Sequence, residues 1–361
     1  MTNNLYKQLS KAIFLAASLV ILIWLIYKAS SVILLLLFGI VLAISINGPV
    51  TSLEKKKIKR GWATTIVFAI IFILFAGIII LVGPKISEQV SLLVQNLPAY
   101  IIQASEKVSS WFDGYPELQE KIRIDHASVS EWFPSVPNTL MQVGNFSLSV
   151  LTTFIIVIVF ISIVIYIVAS PRPLLELYVV LFPPLQRDKA TEAYTKFSVM
   201  IRAWMKSNLI GGFTNAVLVT IFLNIMNIPG AFVWGALAFF TEFIPRVGFF
   251  IKALPPILVA LSINGYTATW VAVFYLASDE IMADFVMPKV RSNVMKIHPV
   301  SILFVVMAMG AAFGFMGVLL ATPLTALIKA YTEVFYLNKF AHDKKLEDRI
   351  DEMLYQKNGS S

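Results

Sequence analysis

The chain has 361 residues, of which 58% are hydrophobic and 14% are charged, and its mean hydropathy is +0.79. A typical soluble domain has about 25% charged residues, so this composition excludes a disordered chain and an ordinary soluble enzyme. The absence of cysteine excludes a disulfide scaffold and a thiol nucleophile. The class that remains is an all-α, polytopic helical membrane protein embedded in a lipid bilayer. No basic stretch lies on a soluble domain, so we expect no nucleic-acid partner in spite of the net charge of +8.

Apolar runs along the chain predict about eight membrane segments, because a bilayer core needs about 20 apolar residues in a helix. The first two runs, 12–27 and 32–46, are separated by Lys28–Ser31 and predict a hairpin of two spans. The other single spans are predicted at Trp62–Val82, Leu148–Ala169, Leu209–Ile228 and Tyr266–Met287. The remaining two segments are interrupted and are treated separately below.

The distribution of basic residues predicts the orientation of the chain. Five Lys and Arg lie in the loop 54–60 and six lie in the segment 171–206. The segment 84–147 has ordinary polarity, with four basic and seven acidic residues, and reads as a small helical insert. Because basic loops stay in the cytoplasm, the insert is predicted to be extracytoplasmic. Both termini are then predicted to lie in the cytoplasm.

These features divide the chain into five regions. The order is an N-terminal three-span region, the insert, a fourth span with a cytoplasmic amphipathic linker, a transport core and a charged cytoplasmic tail. Their predicted limits are 1–83, 84–147, 148–208, 209–335 and 336–361.

Two interrupted apolar segments are the most informative part of the sequence. Ala231–Ile263 and Pro299–Tyr331 each have 33 residues, which as a helix would be about 50 Å long. That is too long for one upright span and too short for two spans and a loop. Broken backbone at membrane depth marks transporter binding sites. We therefore predict two re-entrant hairpins, with two tilted, kinked helices as the alternative. The predicted breaks are Pro245, Gly248 and Pro255 in the first segment and Gly314, Gly317 and Pro323 in the second.

Ionisable residues inside the predicted membrane segments are candidates for solute or ion binding, because charge at the bilayer centre is unfavourable unless it has a function or a partner. The candidates are Glu242, Arg246, Lys252, Asp279, Glu280 and Asp284. Glu242 and Arg246 are four residues apart and are predicted to pair on one helix face. Glu280 and Asp284 have the same spacing, and Arg246 or Lys252 is the predicted cation beside them. The alternative is that these residues form ion pairs that only stabilise the fold.

Several short stretches in the C-terminal half carry a family resemblance through their order and spacing. They are Leu181–Pro184, Arg202–Trp204, Ile244–Gly248, Ala253–Pro255, Pro288–Val290, His298–Pro299, Phe313–Gly317 and Ala321–Leu324. With the hydropathy layout, they make the chain resemble the AI-2E family of bacterial membrane proteins, the autoinducer-2 exporters. The chain departs from the family pattern at four places. They are Arg246, where an aromatic residue is usual, Lys252, where glycine is common, Ser207–Asn208 and Ser278–Glu280.

The resemblance implies a multi-span transporter of the bacterial inner membrane that forms homo-oligomers, with pentamers as the expected state. It also implies either export of autoinducer-2 or sodium(lithium)/proton antiport. Autoinducer-2 is small, uncharged and rich in hydroxyl groups, so its site would need hydroxyl and amide partners. The candidates for that role are Asn208, Asn215, Thr241 and Asn264. Antiport would instead use the membrane carboxylates.

Enzyme chemistry has little support in this sequence. The three histidines are scattered, and neither a zinc-protease motif nor a phosphate-binding loop occurs. We therefore expect no enzymatic activity, no cofactor and no bound metal ion. A third functional hypothesis is a membrane scaffold that transports nothing and recruits partners through its insert and tail.

Overall fold

The computed structural model describes residues 2–124, 147–245, 247–283 and 297–337, with two short pieces at 349–350 and 353–354. Within these residues the chain forms helices and no β-strand, which confirms the predicted all-α class. The helices are α1 (Thr2–Glu54), α2 (Arg60–Ser110), α3 (Pro116–Ile122), α4 (Ser147–Ala169), α5 (Pro171–Val180), α6 (Arg187–Ile225), α7 (Ala231–Thr241), α8 (Val247–Ile263), α9 (Gly265–Ile281) and α10 (Pro299–Phe335).

The predicted two-span hairpin at the N-terminus is wrong. Helix α1 runs without interruption through Lys28–Ser31 and has 53 residues, which gives a length of about 80 Å. The separating residues include neither glycine nor proline, and lysine, alanine and serine are all compatible with a helix interior. The cytoplasmic N-terminus was predicted from two crossings, and a single continuous helix removes that argument.

Helix α2 also continues past a predicted boundary. It extends from Arg60 to Ser110 through Pro84 and Pro98, so residue 84, the predicted start of the insert, lies within a helix. Proline removes one backbone hydrogen bond and bends a helix, but the amphipathic pattern that follows Pro84 maintains the helix. The membrane-spanning part of α2 is therefore directly connected to its distal half, residues 85–110.

Four helical stretches of the described residues are long and apolar enough to cross a membrane, or five if the pair Phe154–Ala169 and Pro171–Val180, bent by 79°, is one span. The four are Tyr27–Glu54, Arg60–Ser110, Pro184–Ile225 and Pro299–Phe335. Three shorter apolar stretches are Lys11–Leu25 within α1 and the helices Ala231–Thr241 and Val247–Ile263. This number of candidate spans is lower than the eight predicted membrane segments, partly because two of the predicted spans lie in the single helix α1.

The first interrupted segment forms two short helices rather than one continuous helix. We call α7, α8 and the connecting tip, residues 242–246, hairpin 1. The chain leaves the helical conformation after Thr241 and resumes it at Val247. A Cβ atom at Gly248 would overlap the carbonyl oxygen of Thr241, although residues seven apart in a straight helix are separated by about 10 Å. The chain therefore turns sharply at the tip, as the sequence predicted at Pro245 and Gly248.

The second interrupted segment reverses direction at Gly314. We call α10, with its arms 299–313 and 315–335, hairpin 2. Gly314 has φ +60° and ψ −142°, a conformation that residues with a Cβ atom avoid. A Cβ atom at Gly317 would overlap the carbonyl oxygen of Met309, whereas a straight helix separates residues eight apart by about 12 Å. The two arms therefore fold back on each other at Gly314, and Gly317 lies in the helical second arm where that arm approaches Met309.

Two of the predicted breaks do not break their helices. Pro255 lies inside α8 together with Pro256, and Pro323 lies inside the second arm of hairpin 2. A proline in a helix leaves the carbonyl four residues earlier without its usual donor, and the surrounding helices hold the chain in place. In α8 the carbonyls that lose a donor in this way belong to Ile251 and Lys252.

Helix α6 is the central packing element of the described chain. Its first half packs against α1 and against hairpin 2, and its second half packs against the first arm of hairpin 1 and, through the stacked rings of Phe222 and Phe274, against α9. The buried residues of α6 at these two interfaces are Phe197, Met200, Ile201, Trp204 and Met205, and then Val219 and Leu223. Both hairpins are thus held against one helix.

The distal half of α2 contacts both ends of hairpin 1. Gln89 Oε1 accepts a hydrogen bond from the backbone N–H of Phe232, at the start of α7, with an N···O distance of 2.9 Å. Lys107 Nζ donates to the carbonyls of Ser262, at 2.8 Å, and Ile263, at the end of α8. These side chains satisfy helix ends that have no intrahelical partner. The two contact points, Gln89 and Lys107, are 18 residues apart on α2, which is about 27 Å of helix, so hairpin 1 is held along most of the distal half of α2.

Candidate functional site

The tip of hairpin 1 lies against the middle of α6. The ring of Phe243 packs edge-on against Trp204, with ring centroids 5.8 Å apart. Glu242 Oε2 accepts a hydrogen bond from Asn215 Nδ2 at 2.9 Å. Trp204 and Asn215 lie 11 residues apart on α6, so the tip covers about 16 Å of that helix. Asn208 lies within this covered stretch.

Asn208 and Asn215 form a buried polar face on α6. Each is 1% exposed, and residues seven apart lie on the same side of a helix. Among the described residues, Asn208 Nδ2 and Asn215 Oδ1 have no hydrogen-bond partner. A buried polar atom without a partner is unfavourable by about 1–3 kcal/mol, so native structures contain few of them. The two amides therefore offer one donor and one acceptor that a polar molecule could use.

Hairpin 2 packs against α6 close to the stretch that the tip of hairpin 1 covers. Leu320 is fully buried in a cluster with Trp204 and Met205, and Met309 of the first arm packs against that cluster. Thr322 is 3% exposed, and its hydroxyl has no partner among the described residues. The tip of hairpin 1 and the arms of hairpin 2 therefore both pack against the middle of α6, beside its polar face.

Lys252 and Asp279 form a separate ion pair between α8 and α9. Lys252 Nζ lies 2.7 Å from Asp279 Oδ1. The lysine side chain is 4% exposed, whereas the aspartate side chain is 45% exposed. The pair therefore has a buried cationic end and an open anionic end. Its ammonium pairs with Asp279; the predicted arrangement with Glu280 and Asp284 includes a residue, Asp284, that lies outside the described residues.

The other predicted site residues divide into several groups. Glu280 is exposed on α9 and takes no part in the two arrangements above. Arg246 and Asp284 lie outside the described residues. Glu242 follows the end of α7 at Thr241, and residues 242–245 are not helical; the predicted pairing of Glu242 with Arg246 lies outside the described residues.

Thr241 and Asn264 have local roles in the fold. The Thr241 hydroxyl donates to the Leu237 carbonyl one turn earlier, at 2.9 Å. Asn264 Oδ1 accepts from the backbone N–H of Thr267 at 2.7 Å and caps the start of α9. Each side chain thus has a hydrogen-bond partner within the protein, and neither presents an unpartnered group to a solute. Asparagine before an apolar helix is a common N-cap, so this role was readable from the sequence.

Sequence reasoning missed three polar contributors. Gln89 and Lys107 lie on the amphipathic distal half of α2, and their partners are more than 100 residues away. Tyr275 is fully buried on α9, and its hydroxyl has no partner among the described residues. The only available signal was a polar atom in an otherwise apolar pattern, which does not identify a distant partner. Across the described part of the chain, no cluster of three or more His, Cys, Asp or Glu could hold a metal ion.

Comparison with known proteins places this architecture in a family. The model of the AI-2E family transporters matches residues 13–336. The chain belongs to the AI-2E transporter family. The match includes both hairpins, α6 and all the described candidate site residues, so it confirms the resemblance inferred from the sequence motifs. It also identifies the chain as a membrane transporter at the level of its family.

Individual relatives are distant but cover most of the chain. YueF of Bacillus subtilis, a candidate transport protein by name, is 25% identical over 84% of both chains. A candidate transport protein of Thermotoga maritima is 27% identical over 67% of this chain and 76% of its own length. The AI-2 transport protein TqsA of Escherichia coli is 22% identical over 90% of this chain and 92% of its own length.

Proposed function

We propose that this chain exports a small, uncharged, polar solute of the autoinducer-2 type across the bacterial inner membrane. The solute would pass between the tip of hairpin 1 and the arms of hairpin 2, along the polar face of α6. The observation that carries this proposal is the pair of buried amides, Asn208 and Asn215, whose unpartnered atoms match hydroxyl groups of a solute. The name of the relative TqsA gives independent support for this class of solute.

The orientation that we propose follows from the basic loop and the distal half of α2. The loop 54–60 lies in the cytoplasm, so α2 leaves the membrane on the extracytoplasmic side. The ends of hairpin 1, which contact the distal half of α2, then lie outside. The ends of hairpin 2 lie inside, where its second arm meets the start of α6 and the side chain of Tyr178 in α5. The charged C-terminal tail is also cytoplasmic.

We further propose that the chain functions as a homo-oligomer in the bilayer. Large apolar side chains cover the outer faces of α1 and α2, as illustrated by Phe14 at 75% and Phe72 at 74% exposure. Apolar surface of this extent requires lipid or protein around it. Helix α1 is longer than a bilayer is thick, and part of its length would contact neighbouring copies.

Asn215→Ala is expected to reduce solute export about tenfold. Loss of one hydrogen bond to a buried group corresponds to about 1–2 kcal/mol, which is about a tenfold change in an equilibrium or rate constant. The measurement is uptake of labelled autoinducer-2 into inside-out proteoliposomes as a function of solute concentration. We expect the apparent KM to rise, because the amide binds the solute.

Asn224→Ala is the matched control on the same helix. Asn224 is exposed, and its amide donates only to the carbonyl of Thr220, so its replacement should leave export unchanged. Equal losses in both variants would contradict the proposed solute path. Absence of solute flux in the wild-type protein, with sodium- or lithium-driven proton movement in the same vesicles, would favour the antiport alternative. Movement of neither would favour the scaffold alternative.

A further inference from the structure

Helix α5 follows an apolar helix that is long enough to cross a membrane without it. Helix α4 has 23 residues and no charged side chain, and its length of about 35 Å exceeds the thickness of a bilayer core, about 30 Å. Helix α5 then continues at an angle of 79° to α4. When α4 crosses near the membrane normal, α5 therefore lies close to the plane of the membrane surface.

The inner side of α5 is fixed by Tyr178. Its hydroxyl donates to the carbonyl of Ala190 at 2.8 Å and is hydrogen-bonded to the hydroxyl of Tyr331 in hairpin 2. Its ring packs against Phe182 and Tyr194. These contacts determine which side of α5 faces away from the protein.

The outer side of α5 is an exposed apolar surface. Leu174, Leu177 and Leu181, which we call the leucine stripe, have the spacing of one helix face and are 47%, 61% and 75% exposed. Apolar surface of this kind requires lipid or protein around it. Lipid is the occupant indicated here, because the exposed apolar surface of α4, which includes Phe154 and Tyr166, leads directly to α5.

A basic loop lies at the same end of α4. Arg60 donates from Nε and Nη2 to the carbonyl of Val168, in the last turn of α4, at 2.9 and 2.7 Å. Its Nη1 lies 3.0 Å from Oε2 of Glu54, the acidic residue of loop 54–60, so this acid already has a partner. The other basic residues of the loop are exposed and take part in no ion pair within the described part of the chain; they are Lys55, Lys56, Lys57 and Lys59.

An anionic phospholipid complements both features of this end of the molecule. Its phosphate attracts a cluster of lysines beside a membrane helix, and its acyl chains cover the apolar face of a helix that lies in the interface. We propose that loop 55–59 and α5 bind anionic phospholipid, with the leucine stripe among the acyl chains and the lysines at the phosphates. The proposal goes beyond solute transport and holds whichever side of the membrane carries this end.

A fluorescent reporter on α5 tests the contact between the leucine stripe and lipid. Leu177→Cys and Glu176→Cys each introduce the single thiol of the chain, which is labelled with a polarity-sensitive dye in phosphatidylglycerol liposomes. Glu176 is the matched control, because its side chain is 64% exposed and pairs with Arg172 on the charged side of α5. We expect blue-shifted emission at Leu177, which lipids spin-labelled near the glycerol quench several times more strongly than the emission at Glu176.

Two results of the reporter experiment would overturn the proposal. Equal quenching at the two positions would contradict the orientation of α5. Emission at Leu177 that is blue-shifted but not quenched would show that protein, rather than lipid, covers the leucine stripe.

Removal of charge tests the contact with the headgroup. The variant Lys55→Gln/Lys56→Gln is compared with the wild type and with Lys121→Gln/Arg123→Gln, which loses the same number of charges from exposed positions at the end of α3. In detergent, we expect phosphatidylglycerol to raise the unfolding midpoint of the wild type in a saturable manner, and phosphatidylcholine or sodium phosphate to leave it unchanged. The loop variant should need several times more phosphatidylglycerol for the same rise, whereas the control variant should behave as the wild type.

Three results of this experiment would overturn the proposal. They are an equal rise with phosphatidylcholine, an equal rise with free phosphate, and the same dependence on phosphatidylglycerol in the two variants. All four substituted positions are exposed, so the variants should keep the fold, and the midpoint without added lipid verifies this. None of these measurements depends on solute transport, so their outcome is separate from that of the export assay.

Discussion

Asp279→Asn is expected to remove most of the folded protein from detergent extracts. The substitution leaves the ammonium of Lys252 buried at 4% exposure without its carboxylate partner. Removal of one member of a buried ion pair is destabilising by about 3–5 kcal/mol, because the remaining charge is no longer compensated. That loss is a large fraction of the stability of a typical protein. The measurement is the yield of monodisperse protein and its midpoint of thermal unfolding.

The two members of the pair should respond differently to substitution. Lys252→Met leaves a carboxylate that is 45% exposed and can be hydrated, so its effect should be smaller than that of Asp279→Asn. The double variant Lys252→Met/Asp279→Asn contains no unpaired charge and should recover part of the stability that Asp279→Asn alone loses. Equal destabilisation by the two single variants would contradict the burial of the lysine end of the pair.

Gly317→Ala is expected to prevent correct closure of hairpin 2. The added Cβ atom would overlap the carbonyl oxygen of Met309 in the opposite arm, and backbone cannot move aside as a flexible side chain can. Overpacking of this kind destabilises a protein by about 3 kcal/mol. The measurement is the thermal unfolding midpoint of the purified variant, which should fall by more than that of any alanine substitution at an unobstructed glycine.

Gly77→Ala is the control for this substitution. Gly77 lies in the interior of α2, and a Cβ atom there would meet nothing within 4 Å. Alanine favours a helix over glycine by about 1 kcal/mol, so Gly77→Ala should leave the midpoint unchanged or raise it. An unchanged midpoint in Gly317→Ala would show that the two arms of hairpin 2 do not approach each other as the structure describes.

The hairpins were predictable because their signals are local. A 33-residue apolar segment does not fit a bilayer as one helix, and the pairs Pro245–Gly248 and Gly314–Gly317 mark where each chain turns. The same reasoning failed at Lys28–Ser31, because one lysine among good helix formers does not end a helix. It also failed at Pro255 and Pro323, where packing against neighbouring helices outweighs the local preference for a break.

The arrangement of the site was less predictable than its composition. The sequence identified Glu242, Lys252, Asp279 and Asn215 as candidates, but it did not indicate which of them meet. Lys252 pairs with Asp279, and Asn215 pairs with Glu242, 27 residues away in each case. Such pairings depend on how helices pack. Helical spacing alone favoured neighbours four residues apart.

The distal half of α2 is another element whose packing partner the sequence did not indicate. Its apolar stripe predicted an amphipathic helix, but the partner of that stripe was unknown from the sequence. In the structure Leu93 packs against the start of hairpin 1 at Gly230, and Lys107 reaches its end. The distal half of α2, which is the first part of the predicted insert, is therefore packed against hairpin 1.

The sidedness of single cysteines tests most directly whether both interrupted segments fold back. The chain has no cysteine, so each introduced thiol is the one site at which a membrane-impermeant maleimide can react. The maleimide is applied to cells or to inverted vesicles. Asn227→Cys and Tyr266→Cys flank hairpin 1, and Val300→Cys and Leu337→Cys flank hairpin 2; all four positions are exposed. We expect the first two to react only from outside and the last two only from inside. Reaction of Asn227→Cys and Tyr266→Cys from opposite sides would contradict the account, because hairpin 1 would then cross the membrane as a single span.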